Sequence, residues 1–146
     1  QEALFGKERT YCHCFFGLLD GGALALFQFA EPSDQAEFGP DLAASPFRHI
    51  ALNVNAEQQA ELEKRIADAG IEPPQTYILE HGYCRSVYAV DPDGMIVEFT
   101  CDAPHADQIN AKRLKDAHSE LKRWLAGDHT PNNDVRPEET ELTVTH

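Results

Sequence analysis

Residues 80–102, EHGYCRSVYAVDPDGMIVEFTCD, decide the fold, because they contain two apolar strand-like segments joined by a tight turn. In the turn DPDG at residues 91–94, proline presets its own φ angle, and glycine can adopt the positive φ that the end of a turn often requires. This pattern predicts a β-hairpin. Along its second arm the side chains alternate between two faces, one with Met95, Val97, Phe99 and Cys101 and the other with Ile96, Glu98 and Thr100.

Glu98 lies in the middle of a strand that is otherwise apolar enough to be buried on both sides. A buried carboxylate costs several kcal/mol unless it has a cation, a metal or a proton. We therefore expect a specific partner for Glu98. Arg48 and Arg85 are candidates, but we disfavour Arg48 because alternation puts it on the other face, and Arg85 because it lies at the far end of the hairpin.

The segment before the hairpin predicts a strand, a helix and another strand. Residues 47–54 alternate as a strand with Ile50, Leu52 and Val54 on one face, and Asn55 caps a helix over 56–69 that Gly70 ends. Residues 75–80 form the next strand. The helix covers the aliphatic face, so His49 points to the opposite one.

Alternation also places Glu98 on the side away from the helix. A histidine and a glutamate on one concave surface are suitable ligands for a divalent metal, so we take His49 and Glu98 as candidate metal ligands. The alternative for His49 is a core histidine hydrogen-bonded to a neighbour.

The remaining segments are less informative. Residues 1–6 look like the last turn of a helix, residues 10–19 and 23–29 like a second hairpin, and residues 31–46 like a linker. Residues 106–126 predict a helix whose apolar stripe packs on the domain or across a dimer. The polar tail, residues 128–146, is expected to be mobile or held by a partner.

Composition limits the partners. With 146 residues, 42% of them hydrophobic, the chain suits one core, and its net charge of −13 argues against binding nucleic acid or an anionic membrane.

The sequence lacks an apolar run of about 20 residues and a signal pattern, which predicts a soluble protein. Cysteines at positions 12, 14, 84 and 101 are read as free thiols of a cytoplasmic protein. Without a second cysteine pair, positions 12 and 14 do not indicate zinc.

The order β-α-β-β-β, with histidine on the first strand and glutamate on the last, resembles the module of the vicinal oxygen chelate superfamily, which includes glyoxalase I, bleomycin resistance proteins and type I extradiol dioxygenases. The resemblance covers residues 47–101. It implies an α+β fold of paired βαβββ modules that form a curved mixed-sheet cup around one metal. We expect a truncated first module over 1–30, the linker over 31–46, the complete module over 47–102, a C-terminal helix over 103–127 and the tail over 128–146.

A narrower motif runs from His81 through Val87-Tyr88 and the DPDG turn to Glu98, and it is similar to the extradiol dioxygenase signature, although Leu79 departs from the usual small or β-branched residue. The resemblance implies that Glu98 and His49 bind the metal, that His81 acts as acid or base and that Tyr88 hydrogen-bonds the substrate. An exposed loop histidine and a structural tyrosine hydrogen bond are the alternatives. Tyr88 and Glu98 share a face only if the turn carries a one-residue bulge, which Gly94 permits.

The first half departs from the family. It lacks the first strand with its histidine, we expect residues 6–11 to be too few for the second strand, and Ala25 stands where a carboxylate is expected. Either residues precede this sequence or the protein is a shortened variant. His13 is the fallback third ligand, and unpaired strand edges predict a homodimer.

The resemblance implies a metal-dependent enzyme acting on a small molecule with two adjacent oxygens. An extradiol ring-cleaving dioxygenase with Fe²⁺ is the leading expectation, and Mn²⁺, Zn²⁺ and Ni²⁺ are the alternative ions. A glyoxalase-type lyase or isomerase and a metal-free binding protein like the bleomycin resistance proteins are the alternative functions.

Overall fold

The computed structural model describes residues 2–39, 45, 47–132 and 134–135. These residues form a mixed α+β fold with eight strands and three helices, and the predicted α+β class with a C-terminal helix is confirmed. The chain divides into two compact units, Gln1–Leu42 and Ala43–His146, each of which is described by itself. Among the described residues, none of the helices combines the length and apolarity needed to cross a bilayer.

The first unit contains two hairpins. Strands β1 (Glu2–Leu4) and β2 (Lys7–Arg9) pair antiparallel, as do β3 (Tyr11–Gly17) and β4 (Ala23–Phe29). The prediction that residues 1–6 end a helix is wrong for the described residues 2–6, and residues 6–11 do hold a strand. The glycine signal was misread: Gly6, at φ 78°, forms the turn between β1 and β2, and a left-handed glycine serves a hairpin turn as well as a helix end.

Helix α1 (Pro32–Phe38) lies within the segment that we took for a linker without regular structure. Its Asp34 side chain is buried and accepts hydrogen bonds from Lys7 and Arg9 of β2, and Arg9 also contacts Glu37. Charge pairing therefore attaches this short helix to the first hairpin, and hydrophobic periodicity does not detect such an attachment.

The second unit has the predicted β-α-β-β-β order over residues 47–102. Its elements are β5 (His49–Asn53), α2 (Ala56–Asp68), β6 (Thr76–Glu80), β7 (Cys84–Val90), β8 (Ile96–Asp102) and the terminal helix α3 (Ala106–Leu125). The four strands form one sheet in the order β5-β8-β7-β6, with β5 parallel to β8 and the other pairs antiparallel. The first and last strands of the module in chain order, β5 and β8, are therefore neighbours in the sheet.

Helix α2 begins and ends where the sequence predicts. Asn55 and Gln58 form a capping box at its start, and Gly70, at φ 69°, follows its end. Gln59 is buried and donates to the carbonyl oxygens of Arg85 and Phe99, both at 2.8 Å. These bonds attach α2 to β7 and β8 on the face that carries the Arg85 side chain.

The turn between β7 and β8 sets their register. Gly94 has φ 84° and its amide donates to the Asp91 carbonyl at 3.0 Å, while Val90 pairs with Ile96. This register differs by one residue from that of a simple four-residue turn, as the expected bulge requires. Tyr88 consequently lies directly opposite Glu98.

Helix α3 leaves four large apolar side chains more than half exposed: Leu114, Leu121, Trp124 and Leu125. The chain then returns along α3, where Arg113 donates to the Asn132 carbonyl and Arg123 contacts Asp128. We expected this tail to be mobile or held by a partner; its described residues instead bond to α3 of their own chain. Tail residues 133 and 136–146 lie outside the described part.

Candidate active site

His49 and Glu98 meet on the sheet face opposite α2. Ala51 of β5 pairs with Glu98 of β8, and His49, two residues before Ala51, shares its face. The His49 Nε2 atom lies 2.9 Å from Glu98 Oε2. The two candidate metal ligands therefore lie together, on the side that alternation predicts.

This contact supplies the partner that a buried carboxylate requires. The Glu98 side chain is 9% exposed and that of His49 is 33% exposed. The carboxylate is therefore buried, and the imidazole that contacts it is partly open to solvent. Arg85, the alternative partner, points to the other face and forms a salt bridge with Glu63. An imidazole stabilises the carboxylate as a hydrogen-bond donor, or as a cation when it is protonated.

Tyr88 lies directly across the strand pair from Glu98 and is 5% exposed. Its ring meets the His49 ring edge-on, with centroids 5.9 Å apart at 85°. Burial, together with the negative charge of Glu98, raises the pKa of the Tyr88 phenol well above its ordinary value. Tyr88 therefore keeps its proton at neutral pH and remains a hydrogen-bond donor.

His81 lies in the loop between β6 and β7, and its Nε2 atom is 3.1 Å from the Tyr88 hydroxyl oxygen. The His81 amide donates to the Cys84 carbonyl at 2.9 Å, and its ring stacks on Tyr83 with centroids 5.7 Å apart. Gly82, at φ 82°, allows the tight backbone between them. The two active-site groups that the resemblance implies are therefore hydrogen-bonded to each other.

Tyr77 belongs to the same cluster, and the sequence analysis missed it. It pairs with Tyr88 across β6 and β7, and the two rings stack at 4.7 Å with an angle of 11°. Burial and the charge of Glu98 also raise the Tyr77 pKa. The available signal was a tyrosine in a short apolar strand, but its face depends on the register with β7, which sequence alone does not show.

His13, the fallback third ligand, belongs to the first unit, whereas His49 and Glu98 belong to the second. His13 lies on β3 of the first unit, with its ring 3.9 Å from that of Phe27 and 4.1 Å from that of Phe15. Within the described ranges, no three or more His, Cys, Asp or Glu side chains are arranged to hold a metal ion.

The His49–Glu98 pair nevertheless fits part of a metal site. At a metal–ligand distance of about 2.1 Å, tetrahedral zinc would hold two ligands about 3.4 Å apart, whereas two ligands at the right angle of an octahedral site are about 3 Å apart. The observed separation of 2.9 Å agrees with the octahedral value. The donor types also suit Fe²⁺, which non-haem iron enzymes bind through two histidines and one carboxylate.

Comparison with protein families, with curated proteins and with solved structures finds no match. The likeness to the vicinal oxygen chelate superfamily therefore stays a prediction, based on the residues of the second unit.

Proposed function

We propose that this protein is a metal-dependent enzyme of the vicinal oxygen chelate type that cleaves the ring of a catechol-like substrate, as extradiol dioxygenases do. The observation that carries the proposal is the contact between His49 and Glu98 on the sheet face opposite α2. Fe²⁺ is the favoured ion. Under this proposal the second unit is one βαβββ module of a pair that forms the cup.

His49 Nε2 and Glu98 Oε2 would hold the ion, and a donor beyond this pair would complete its ligands. A second copy of the chain is a suitable source, so a homodimer is part of the proposal. When bound, the ion acts as a Lewis acid toward two adjacent substrate oxygens. Glu98 contributes a negative charge in a buried position, where charge interactions are stronger than in water.

Tyr88 and His81 would handle the proton. Tyr88 keeps its proton because burial and Glu98 raise its pKa, so its hydroxyl is suited to donate to a substrate oxygen. His81 Nε2 lies 3.1 Å from that hydroxyl, which places the imidazole beside the substrate oxygen that Tyr88 would contact, and His81 would act there as acid or base. The Tyr77 ring stacks on the buried Tyr88 ring and is the more exposed of the two, so it would offer the aromatic surface that favours a planar substrate.

The test compares three variants with the wild type. Protein purified without oxygen is loaded with Fe²⁺, desalted and analysed for iron, and oxygen uptake is then measured with simple catechols. We expect His49→Ala and Glu98→Gln to lose iron and oxygen uptake together, because each removes a ligand. Glu63→Gln is the matched control, since it removes a carboxylate on the α2 side of the same sheet, and it should retain both.

Iron retained equally by both ligand variants, or absent from the loaded wild type, would contradict the proposal. Zinc, nickel or manganese retained without oxygen uptake would favour the glyoxalase-type reaction instead.

A metal-free binding protein is the second candidate function. It is favoured by the direct His49–Glu98 contact, which already partners the carboxylate, and by the presence of only two donors in the described cluster. In that case the aromatic surface binds a small molecule without an ion, and His49→Ala should weaken ligand binding without changing metal content.

A cytoplasmic location is part of the same proposal. It is supported by the four cysteines, all of which are free.

A further inference from the structure

Two exposed thiols lie side by side on β3. Cys12 and Cys14 are both free and exposed, and they pair with Gln28 and Leu26 of β4 in a regular antiparallel register. Residues two apart in a regular strand project to the same face. The thiols are therefore neighbours on one side of the β3–β4 hairpin.

Their spacing suits a bridging ion better than a disulfide. Residues two apart along a strand have Cα atoms about 6.6–6.8 Å apart. A disulfide requires Cβ atoms about 3.5–4.5 Å apart, which parallel side chains at this spacing do not reach. Two thiolates on opposite sides of one metal ion have sulfur atoms about 4.6 Å apart, which is twice a metal–sulfur distance of about 2.3 Å. Rotation about the side-chain bonds brings the two sulfurs to this separation.

The surroundings favour an ion that needs few ligands. The intervening His13 projects to the opposite face, where it stacks on Phe27. Gln28 and Leu26 carry no charge, and in the part of the chain that the structure describes no third His, Cys, Asp or Glu completes a metal-binding group. A tetrahedral zinc site needs four ligands. Soft thiolates bind Cu(I) as well as zinc and iron–sulfur clusters, and of these Cu(I) is the one for which two sulfur ligands suffice.

We propose that the Cys12 and Cys14 thiolates chelate one Cu(I) ion on the surface of the β3–β4 hairpin. Two thiols lose their protons, two Cu–S bonds form, and neither copper nor sulfur changes oxidation state. Because two protons are released, copper affinity should rise with pH. The site shares no residue with the His49–Glu98 cluster, so it does not depend on the catalytic proposal.

The experiment is a Cu(I) titration of the reduced 146-residue chain without oxygen, in competition with the chromophoric chelator bicinchoninate. We expect the wild type to hold one copper per chain. Cys12→Ser and Cys14→Ser should each weaken binding by about 10²-fold or more, because the second thiolate acts at an effective concentration set by the strand. Cys101→Ser is the matched control and should bind copper as the wild type does. X-ray absorption should show two sulfur ligands.

Several outcomes overturn the proposal. One is a wild type that holds no more copper than the Cys12→Ser/Cys14→Ser double variant. Another is a loss in Cys101→Ser equal to that in the single β3 variants. A third is a single β3 variant that binds as tightly as the wild type by forming copper-bridged dimers, which size-exclusion chromatography detects. Both β3 thiols are exposed, so their serine variants should fold, and circular dichroism checks this.

Discussion

Replacing Gln59 tests how α2 is attached to the sheet that carries the candidate site. Gln59 is 3% exposed, and its side-chain nitrogen donates to the carbonyl oxygens of Arg85 and Phe99, each at 2.8 Å. Its side-chain oxygen accepts from Arg85 Nη1, also at 2.8 Å. One side chain thus joins the helix to two neighbouring strands by three hydrogen bonds.

Gln59→Leu keeps the approximate size of the side chain and removes all three bonds. A buried polar group left without its partner costs about 1–3 kcal/mol. Arg85 retains its salt bridge with Glu63, so the main loss comes from the two carbonyl oxygens. We therefore expect the free energy of unfolding to fall by about 2–4 kcal/mol.

The assay is urea denaturation followed by far-ultraviolet circular dichroism and by the fluorescence of Trp124, which lies in the same unit. With a slope of about 1–3 kcal/mol per molar urea, the midpoint should move by at least about 0.7 M. Gln58→Leu is the matched control: Gln58 is only partly buried and takes part in the capping box, so its loss should cost about 0.5–1 kcal/mol. Equal losses in the two variants would refute the role given to Gln59.

Two further predictions concern the site itself. Folding raises the Tyr88 pKa, so Tyr88 makes its full contribution to the free energy of unfolding below the unfolded pKa of about 10. As pH rises above that value, the unfolded chain releases the proton more readily than the folded protein does, and stability falls. Urea midpoints measured between about pH 9 and 11 should decline less steeply in Tyr88→Phe, and parallel curves would exclude this role for Tyr88. Gly94→Ala should cost about 1–2 kcal/mol, since φ is 84° there, and should reduce metal retention by disturbing the β7–β8 register. Gly70→Ala, also at positive φ but away from the hairpin, should cost as much stability and leave metal retention unchanged; equal metal loss in both variants would contradict this.

Much of the second unit follows from local patterns in the sequence. The capping residue Asn55 and the glycine at position 70 mark the ends of α2, and the DPDG turn marks the β7–β8 hairpin, because each acts on the backbone within a few residues of itself. Alternation along β5 and β8 correctly placed His49 and Glu98 on one face, since a strand has a period of two whatever surrounds it.

The first unit shows where such patterns fail. The glycine at position 6 has the same backbone preference in a hairpin turn as at a helix end, so its sequence signal has two meanings. Helix α1 depends on ion pairs between Asp34 and side chains of β2, more than 20 residues earlier. Charged partners that are distant in sequence leave no periodic pattern.

The amino-acid sequence by itself determined the element order of the second unit and the faces of His49 and Glu98, because dihedral preferences and strand alternation are local properties. Only the tertiary structure decided that these two side chains touch, that Tyr88 meets both Glu98 and His81, and that Tyr77 stacks beside it. Those contacts depend on the register between strands. Register is set by turn geometry together with the pairing of whole strands, so alternation within one strand does not show it.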